Sequence, residues 1–383
     1  MRIEVDDGLL DDPERLAAAD PGAMLRAVAT SGAQVRQAVH TADEAGVGRL
    51  MAEDRPRAVV VAGMGGSGIA GGVLAAVCGP QCAVPVVATR GYTLPGWVGP
   101  MDLVAAVSCS GSTEETLAVV EEARRRGCRL LTVGALESPL ADLSERARGV
   151  HVGVDAGGRP PRANMWALST PLLVAADALG LAAVPAGVLA STADLLDAAA
   201  ERCRPSSDSF VNPAKSLALE LAGSTPMIWG SSDIADVATY RFACQLNENA
   251  KMPAVFGGLP EANHNQVVAF DGPYGVGARR SDVEDLFADR VEQAERTVGA
   301  LRLVLLADTE EHPQVARRRE ISAEVAADRG VPVSELTAEG SHPVERLASL
   351  VSIADFASVY LALVIGVDPT PITPITQLKT ALR

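Results

Sequence analysis

Residues 57–77 read RAVVVAGMGGSGIAGGVLAAV. The run 57–62 is short, apolar and rich in β-branched valine, as a buried strand should be. Glycines follow at Gly63, Gly65, Gly66 and Gly68, and the apolar stretch 69–77 has the length and composition of a helix. Strand, glycine loop and helix in that order bring backbone amides and the positive end of a helix close to an anion. Gly63, Gly65 and Gly68 also satisfy the GxGxxG spacing of a dinucleotide site, which requires an acid at the end of the next strand to hold a ribose. That strand ends Ala88-Thr89-Arg90-Gly91, with no acid. Three readings stay open: a phosphate site, tight ligand-free packing, and a dinucleotide whose ribose phosphate meets Arg90.

The alternation continues outward. Short apolar strands are expected at 85–88 and 103–107, a helix over 114–126, a strand at 129–133 and helices over 139–148 and 163–179. After an Ala/Leu-rich helical stretch (181–209) ending in the polar run ArgProSerSerAspSer at 204–209, the pattern restarts. Strands fall at 226–230, 266–270, 301–306 and 331–336, with helices at 234–245, 284–297, 312–329 and 343–365 and a short one from Pro374. Strands alternating with helices give an α/β class with parallel sheets covered on both faces. The 383 residues therefore divide into a helical N-terminal arm (1–50), a first α/β domain (51–180), a helical linker (181–212) and a second α/β domain (213–383).

Composition narrows the function. Lys plus Arg is 33 and Asp plus Glu 48, a net charge of −15. No local basic patch offsets it, so neither nucleic acid nor an anionic membrane is an expected partner. The acidic start MRIEVDDGLL lacks the basic, apolar make-up of a signal peptide, and no window of 18 uncharged apolar residues occurs, so the expected location is the cytoplasm. The six cysteines show no CxxC, and the five histidines show no metal-binding spacing, so no metal is expected. Lysine occurs three times (Lys215, Lys251, Lys379) against 33 − 3 = 30 arginines. Four of the six asparagines (Asn247, Asn249, Asn263, Asn265) fall in one short stretch. In so biased a composition these survivors invite a chemical reason.

A second loop follows the strand at 103–107. Ser108-Cys109-Ser110-Gly111-Ser112-Thr113-Glu114-Glu115-Thr116 carries four hydroxyls ahead of the glutamates that open a helix. One of Ser112 and Thr113 serves as N-cap. A cap needs one hydroxyl, and the remainder suit a phosphate monoester held by amides and hydroxyls alone. Parallel sheets bring such loops together at the carboxyl ends of their strands.

The two loops resemble those of the sugar isomerase (SIS) domain. Gln245-Leu246-Asn247-Glu248-Asn249-Ala250-Lys251-Met252-Pro253-Ala254 and Leu259-Pro260-Glu261-Ala262-Asn263-His264-Asn265 narrow the match. With Pro161-Arg162-Ala163 and the tail Asp368-Pro369-Thr370-Pro371…Leu378-Lys379, they resemble the bifunctional phosphoglucose/phosphomannose isomerase family. The resemblance implies two SIS-type (flavodoxin-like) three-layer α/β/α domains and no cofactor. It also implies metal-independent aldose–ketose isomerisation of glucose 6-phosphate or mannose 6-phosphate with fructose 6-phosphate, through a cis-enediol. It makes Glu248 the base that moves the C1/C2 proton, gives ring opening to His264, places Lys379 at the ring oxygen and sets Arg162 against the enediolate. Ser67, Ser108, Ser110 and Thr113, with the amides of Gly66 and Gly111, would hold the phosphate. In the family the histidine crosses from a neighbouring subunit, so a homodimer is implied. The family's second loop commonly reads Ser-Tyr-Ser-Gly-Asn-Thr; Cys109 and Ser112 stand here, which bears on preference among substrates. A sugar-phosphate sensor built on SIS domains is the competing class. It would not require the Glu, His, Arg and Lys set, and residues 1–50 hold no basic DNA-binding module.

Overall fold

The computed structural model describes residues 4–52, 54–275 and 299–382. Helices α1 (Pro13–Ala19), α2 (Met24–Ala29) and α3 (Ser31–Glu44) precede strand β1 (Val59–Gly63). Then come α4 (Gly65–Cys78), β2 (Val86–Thr89), β3 (Leu103–Ser108), α5 (Glu114–Arg125), β4 (Arg129–Gly134), α6 (Pro139–Arg146), β5 (Val150–Gly153) and α7 (Met165–Ala178). Helices α8 (Ala186–Arg202) and α9 (Pro213–Leu221) lead to β6 (Ser224–Gly230), α10 (Asp233–Gln245) and β7 (Val255–Gly258). The chain ends with β8 (Ala300–Ala307), α11 (Pro313–Asp328), β9 (Val333–Thr337), α12 (Pro343–Val364) and α13 (Thr373–Ala381). The helix expected over 284–297 lies outside the described residues.

Two compact units result. One joins Ala29–Ala198 with Ser341–Ala348; the other joins Met1–Val28, Ala199–Gly340 and Ser349–Arg383. Residues 1–50, read from the sequence as one arm, are thus shared between the units, the break falling after Val28.

The first unit holds an all-parallel sheet of order β2-β1-β3-β4-β5. Every residue of β1 and β3 is buried, as a sheet covered on both faces requires. Val60, Ala62, Val104 and Ala106 pack on Val119 and Val120 of α5. From β1 the chain goes to β2 on one side and then to β3 on the other. The topological switch point therefore lies at the carboxyl ends of β1 and β3, where the two sequence-selected loops emerge.

The second unit holds a parallel sheet of order β7-β6-β8-β9. Its core gathers Trp229, Phe270, Leu303 and Leu305, with the Trp229 and Phe270 rings stacked at 5.6 Å. The strand expected at 266–270 is instead a 3-10 turn, Gln266–Asp271. Its side chains reach inward: Phe270 stacks on Trp229, and the Trp229 indole N–H donates to Gln266 Oε1 at 2.7 Å. Tertiary anchoring decides the conformation there, and the neighbour of β6 is β7 instead. The N-terminal segment belongs to this unit: the Asp6 amide donates to the Val364 carbonyl at 2.9 Å. The polar run at 204–209 is held inside it too, because Lys215, fully buried, donates from Nζ to the carbonyls of Pro205 and Ser207 (2.7 Å each) and of Leu10.

Helix α12 has the length and apolarity to cross a membrane (mean hydropathy 2.0), yet 94% of that window is buried in the protein. It is a core helix.

Candidate active site

In the first unit, the loop after β1 turns directly into α4. The N-cap position is Met64, which has no side chain that can cap, and the backbone enters the helix at Gly65 with φ +54°. Gly66 lies against the backbone of Pro161 and Arg162, 3.2 Å from where its Cβ would stand. This close approach brings the 3-10 turn Pro161–Ala163 beside the helix start, with Arg162 only 2% exposed.

The loop after β3 is tied to the first one. The Cys109 amide donates to Ser67 Oγ at 3.1 Å, both groups buried. Thr113 occupies the N-cap of α5 in extended conformation, but its hydroxyl makes no bond to the helix amides. It bonds Ser108 Oγ instead, at 2.8 Å. The expectation that Ser112 or Thr113 caps with its side chain is thereby corrected: Thr113 has the place and Ser108 has its hydroxyl. Ser112 bonds Ser110 Oγ through its hydroxyl (3.1 Å) and amide (3.3 Å). Gly111 has φ +63°, and a Cβ there would collide with Ser138, so no other residue fits this turn. Burial pushes the Cys109 thiol up, with Arg159 acting weakly the other way. Two helix starts without side-chain caps, bordered by Ser67, Ser108, Ser110 and Thr113, thus flank one switch point. That is an arrangement for an anion with several acceptor oxygens.

The second unit's own switch point, between β6 and β8, differs. Ser232 accepts the Ala235 amide at 3.1 Å as a true cap of α10 and donates to Asp308 Oδ2 at 2.7 Å. The Asp308 amide donates to Ser231 Oγ at 2.8 Å. Capped and acidic, this crevice repels a phosphate. Nearby, Asp236 lies over the paired strand ends Gly230 and Gly258, where any Cβ would meet its carboxyl oxygens. Burial, and then the charge of Asp233, push its carboxyl up to about 7.

The second unit carries the remaining sequence-selected residues on three elements. Helix α10 runs on into a π-helical turn, Leu246–Ala250, which contains Glu248. Such widened turns inside α-helices are frequent at functional sites. The turn is anchored from within: Asn249 donates to Ser358 Oγ at 2.9 Å, and one helical stretch earlier Arg241 grips Asp355 through two bonds of 2.9 and 2.8 Å. Glu248 itself is half-buried. Lys251 ends the turn with φ +57°, a left-handed conformation that costs a non-glycine residue roughly 1–2 kcal/mol. His264 is exposed at the end of the 3-10 turn Glu261–His264. Lys379 is exposed on α13, none of whose residues is buried. Among the described residues no three His, Cys, Asp or Glu side chains gather as metal donors. Sequence reasoning assigned nothing to Lys251 or Asp236; the scarcity of lysine is a signal for the first, and no sequence signal marks the second.

Residues 210–382 match the family described as the bacterial phospho-glucose isomerase C-terminal SIS domain. The bifunctional phosphoglucose/phosphomannose isomerase of Caldicellulosiruptor bescii is 32% identical over 87% of this chain and 91% of its own length. The chain belongs to the bifunctional phosphoglucose/phosphomannose isomerase family. A second phosphoglucose/phosphomannose isomerase, from Aquifex aeolicus, is 29% identical over 85% of this chain and 91% of its own. In fold, a hypothetical protein of Thermus thermophilus superposes with a TM-score of 0.70 at 17% identity, covering 98% of this chain and 94% of the other. Both α/β units thus have counterparts among phosphoglucose/phosphomannose isomerases and their structural neighbours, as the two loops and the Glu248 segment had implied.

Proposed function

We propose that this phosphosugar isomerase interconverts glucose 6-phosphate and mannose 6-phosphate with fructose 6-phosphate, without a metal or organic cofactor. The observation that carries the reading is the pair of helix starts at the first switch point, whose bordering hydroxyls bond one another instead of the helix amides. Amides of Gly66 and Gly111 and hydroxyls of Ser67, Ser108, Ser110 and Thr113 hold the phosphate. With the phosphate anchored, the reacting carbons need an acid–base set. Lys379 and His264 assist ring opening at the ring oxygen and the anomeric hydroxyl. The carboxylate of Glu248 then takes the C2 proton of the aldose and returns it at C1, giving the ketose through a cis-enediol. Arg162 offsets the negative charge that develops on the enediolate oxygens.

His264 acts in the neighbouring subunit's site, so the working form is a homodimer. Its exposure supports this, as do the exposed apolar side chains Val255, Phe256 and Val268 in the segments around it.

A coupled assay that supplies fructose 6-phosphate and detects both aldoses separately tests the reading. Turnover to either aldose is expected, and Glu248→Gln should lower kcat on the order of 10²–10⁴-fold while substrate still binds. In deuterated water that variant should also stop washing deuterium into C2. Binding of sugar phosphate with turnover to neither aldose would make the protein a sensor instead.

A further inference from the structure

The tail that leads to Lys379 is held at two neighbouring residues, Pro369 and Thr370. Pro369 is met by Lys251. Its ammonium donates to the carbonyl oxygens of Glu248 (2.6 Å), Asn249 (3.2 Å) and Pro369 (3.2 Å). Its left-handed backbone, whose own N–H returns to the Leu246 carbonyl, closes the turn that carries Glu248. Thr370 is met by Gly22 of the N-terminal segment. A Cβ at Gly22 would meet Thr370 Cβ at 2.6 Å and Cγ2 at 2.7 Å. Between these two, the tail is internally braced: the Val367 amide donates to the Ala362 carbonyl (2.8 Å) and the Thr370 amide to Asp368 Oδ1 (2.9 Å). Three residues beyond Thr370, α13 begins and carries Lys379.

An ammonium suits this post. It offers three tetrahedrally spread donors to three carbonyls, whereas a guanidinium offers a flat fork shaped for carboxylates. In a chain with thirty arginines and three lysines, the compact cation stands where three backbone oxygens converge.

We propose that Lys251 is a positioning residue: by joining the Glu248 turn to Pro369, it sets the tail and the Lys379 helix in register with the Glu248 carboxyl. The Gly22–Thr370 contact holds the same tail from the N-terminal side. The inference rests on the proposed catalytic roles of Glu248 and Lys379.

The test uses the 383-residue chain and fructose 6-phosphate. Lys251→Met keeps the length of the stem and removes the charge. Its kcat should fall roughly 10–100-fold, the size of a small misplacement of reacting groups, with KM within about twofold because the phosphate loops lie elsewhere. A Lys251→Cys variant treated with bromoethylamine regains an ammonium at nearly the same reach and should recover most of the loss, with the parent treated alike as control. In a Lys379→Met background, adding Lys251→Met should cost much less than it does alone, since a residue acting through Lys379 has little left to position. Gly22→Val, whose side chain would collide with Thr370, should reproduce the kcat loss without raising KM. Parental kcat in Lys251→Met, full additivity in the double variant, or a loss confined to KM would each overturn the positioning role. Near-parental turnover of Lys379→Met would overturn the reading of Lys379, and the positioning role with it. A large loss in Lys379→Met beside parental Lys251→Met would sink the positioning role alone.

Discussion

At the scale of single residues, the cradle after β1 and β3 depends on hydroxyls that also accept from the backbone. Ser67 is the clearest case, because its oxygen is the acceptor for the buried Cys109 amide. Ser67→Ala leaves that amide without its partner, which should cost about 1–3 kcal/mol in denaturant unfolding and raise the KM for sugar phosphate. An alanine elsewhere in the loop that raised KM without loss of stability would mark the contrast. Asp236 gives a pH signature of its own. Its folded pKa of about 7 lies above the ordinary value of 3.8, so between those values the native state holds a proton the unfolded chain has released. Stability therefore falls as pH rises from about 4 to about 7 and levels off above. Asp236→Asn removes that penalty, and its melting temperature should gain on the parent's as pH goes from 5 to 8. An equal difference at both pH values would show that Asp236 does not titrate in this window.

At the scale of elements, the helix α10 and its π-helical extension are held on α12 by a buried pair and an amide. Breaking the pair with Asp355→Ala removes the carboxylate from beside a buried guanidinium and should destabilise the protein by about 3–5 kcal/mol. Conditions that keep the variant folded should still show reduced kcat, because the Glu248 turn rests on that anchor. The sequence revealed α10, the first switch-point strands β1 and β3, and both loops, since unbroken valine runs ending in glycine or serine have few other solutions. It concealed β7. Val255-Phe256-Gly257-Gly258 is short and half glycine, and reads as a turn. The glycines are there for close approach: the Asp236 carboxyl occupies the space of a Gly258 Cβ, and Gln266 that of a Gly257 Cβ. Gln266–Asp271 was concealed for the opposite reason, because its apolar run looks like a strand until Trp229 claims Phe270 and Gln266. The candidate site came from the sequence only as motifs that resemble those of a known family. What joins them was not legible: Lys251 on Pro369 spans 369 − 251 = 118 positions, and no local pattern records a contact of that range.

At the scale of the whole molecule, the proposed dimer makes a separable claim. Glu248→Gln and His264→Ala subunits, each inactive alone, should regain activity when dissociated and reassembled together, because one of the two sites in a mixed dimer then has both residues intact. Verified subunit exchange without recovery would place both residues in their own chain's site. The partition of the chain carries a different consequence. The unit built on Ala29–Ala198 has all five of its strands within one uninterrupted segment, whereas the other unit collects its pieces from both ends and the middle. On the ribosome, β1 to β5 emerge and can pair before any strand of the second sheet has been synthesised. The segment ahead of α3 leaves the tunnel before either sheet and is among the last to find its place: Asp6 waits for Val364, 364 − 6 = 358 residues later. Until then Leu9, Leu10, Leu16, Met24 and Leu25, all buried in the finished protein, lack the second unit's core to pack into. That stretch offers a chaperone apolar surface until the second unit closes over it.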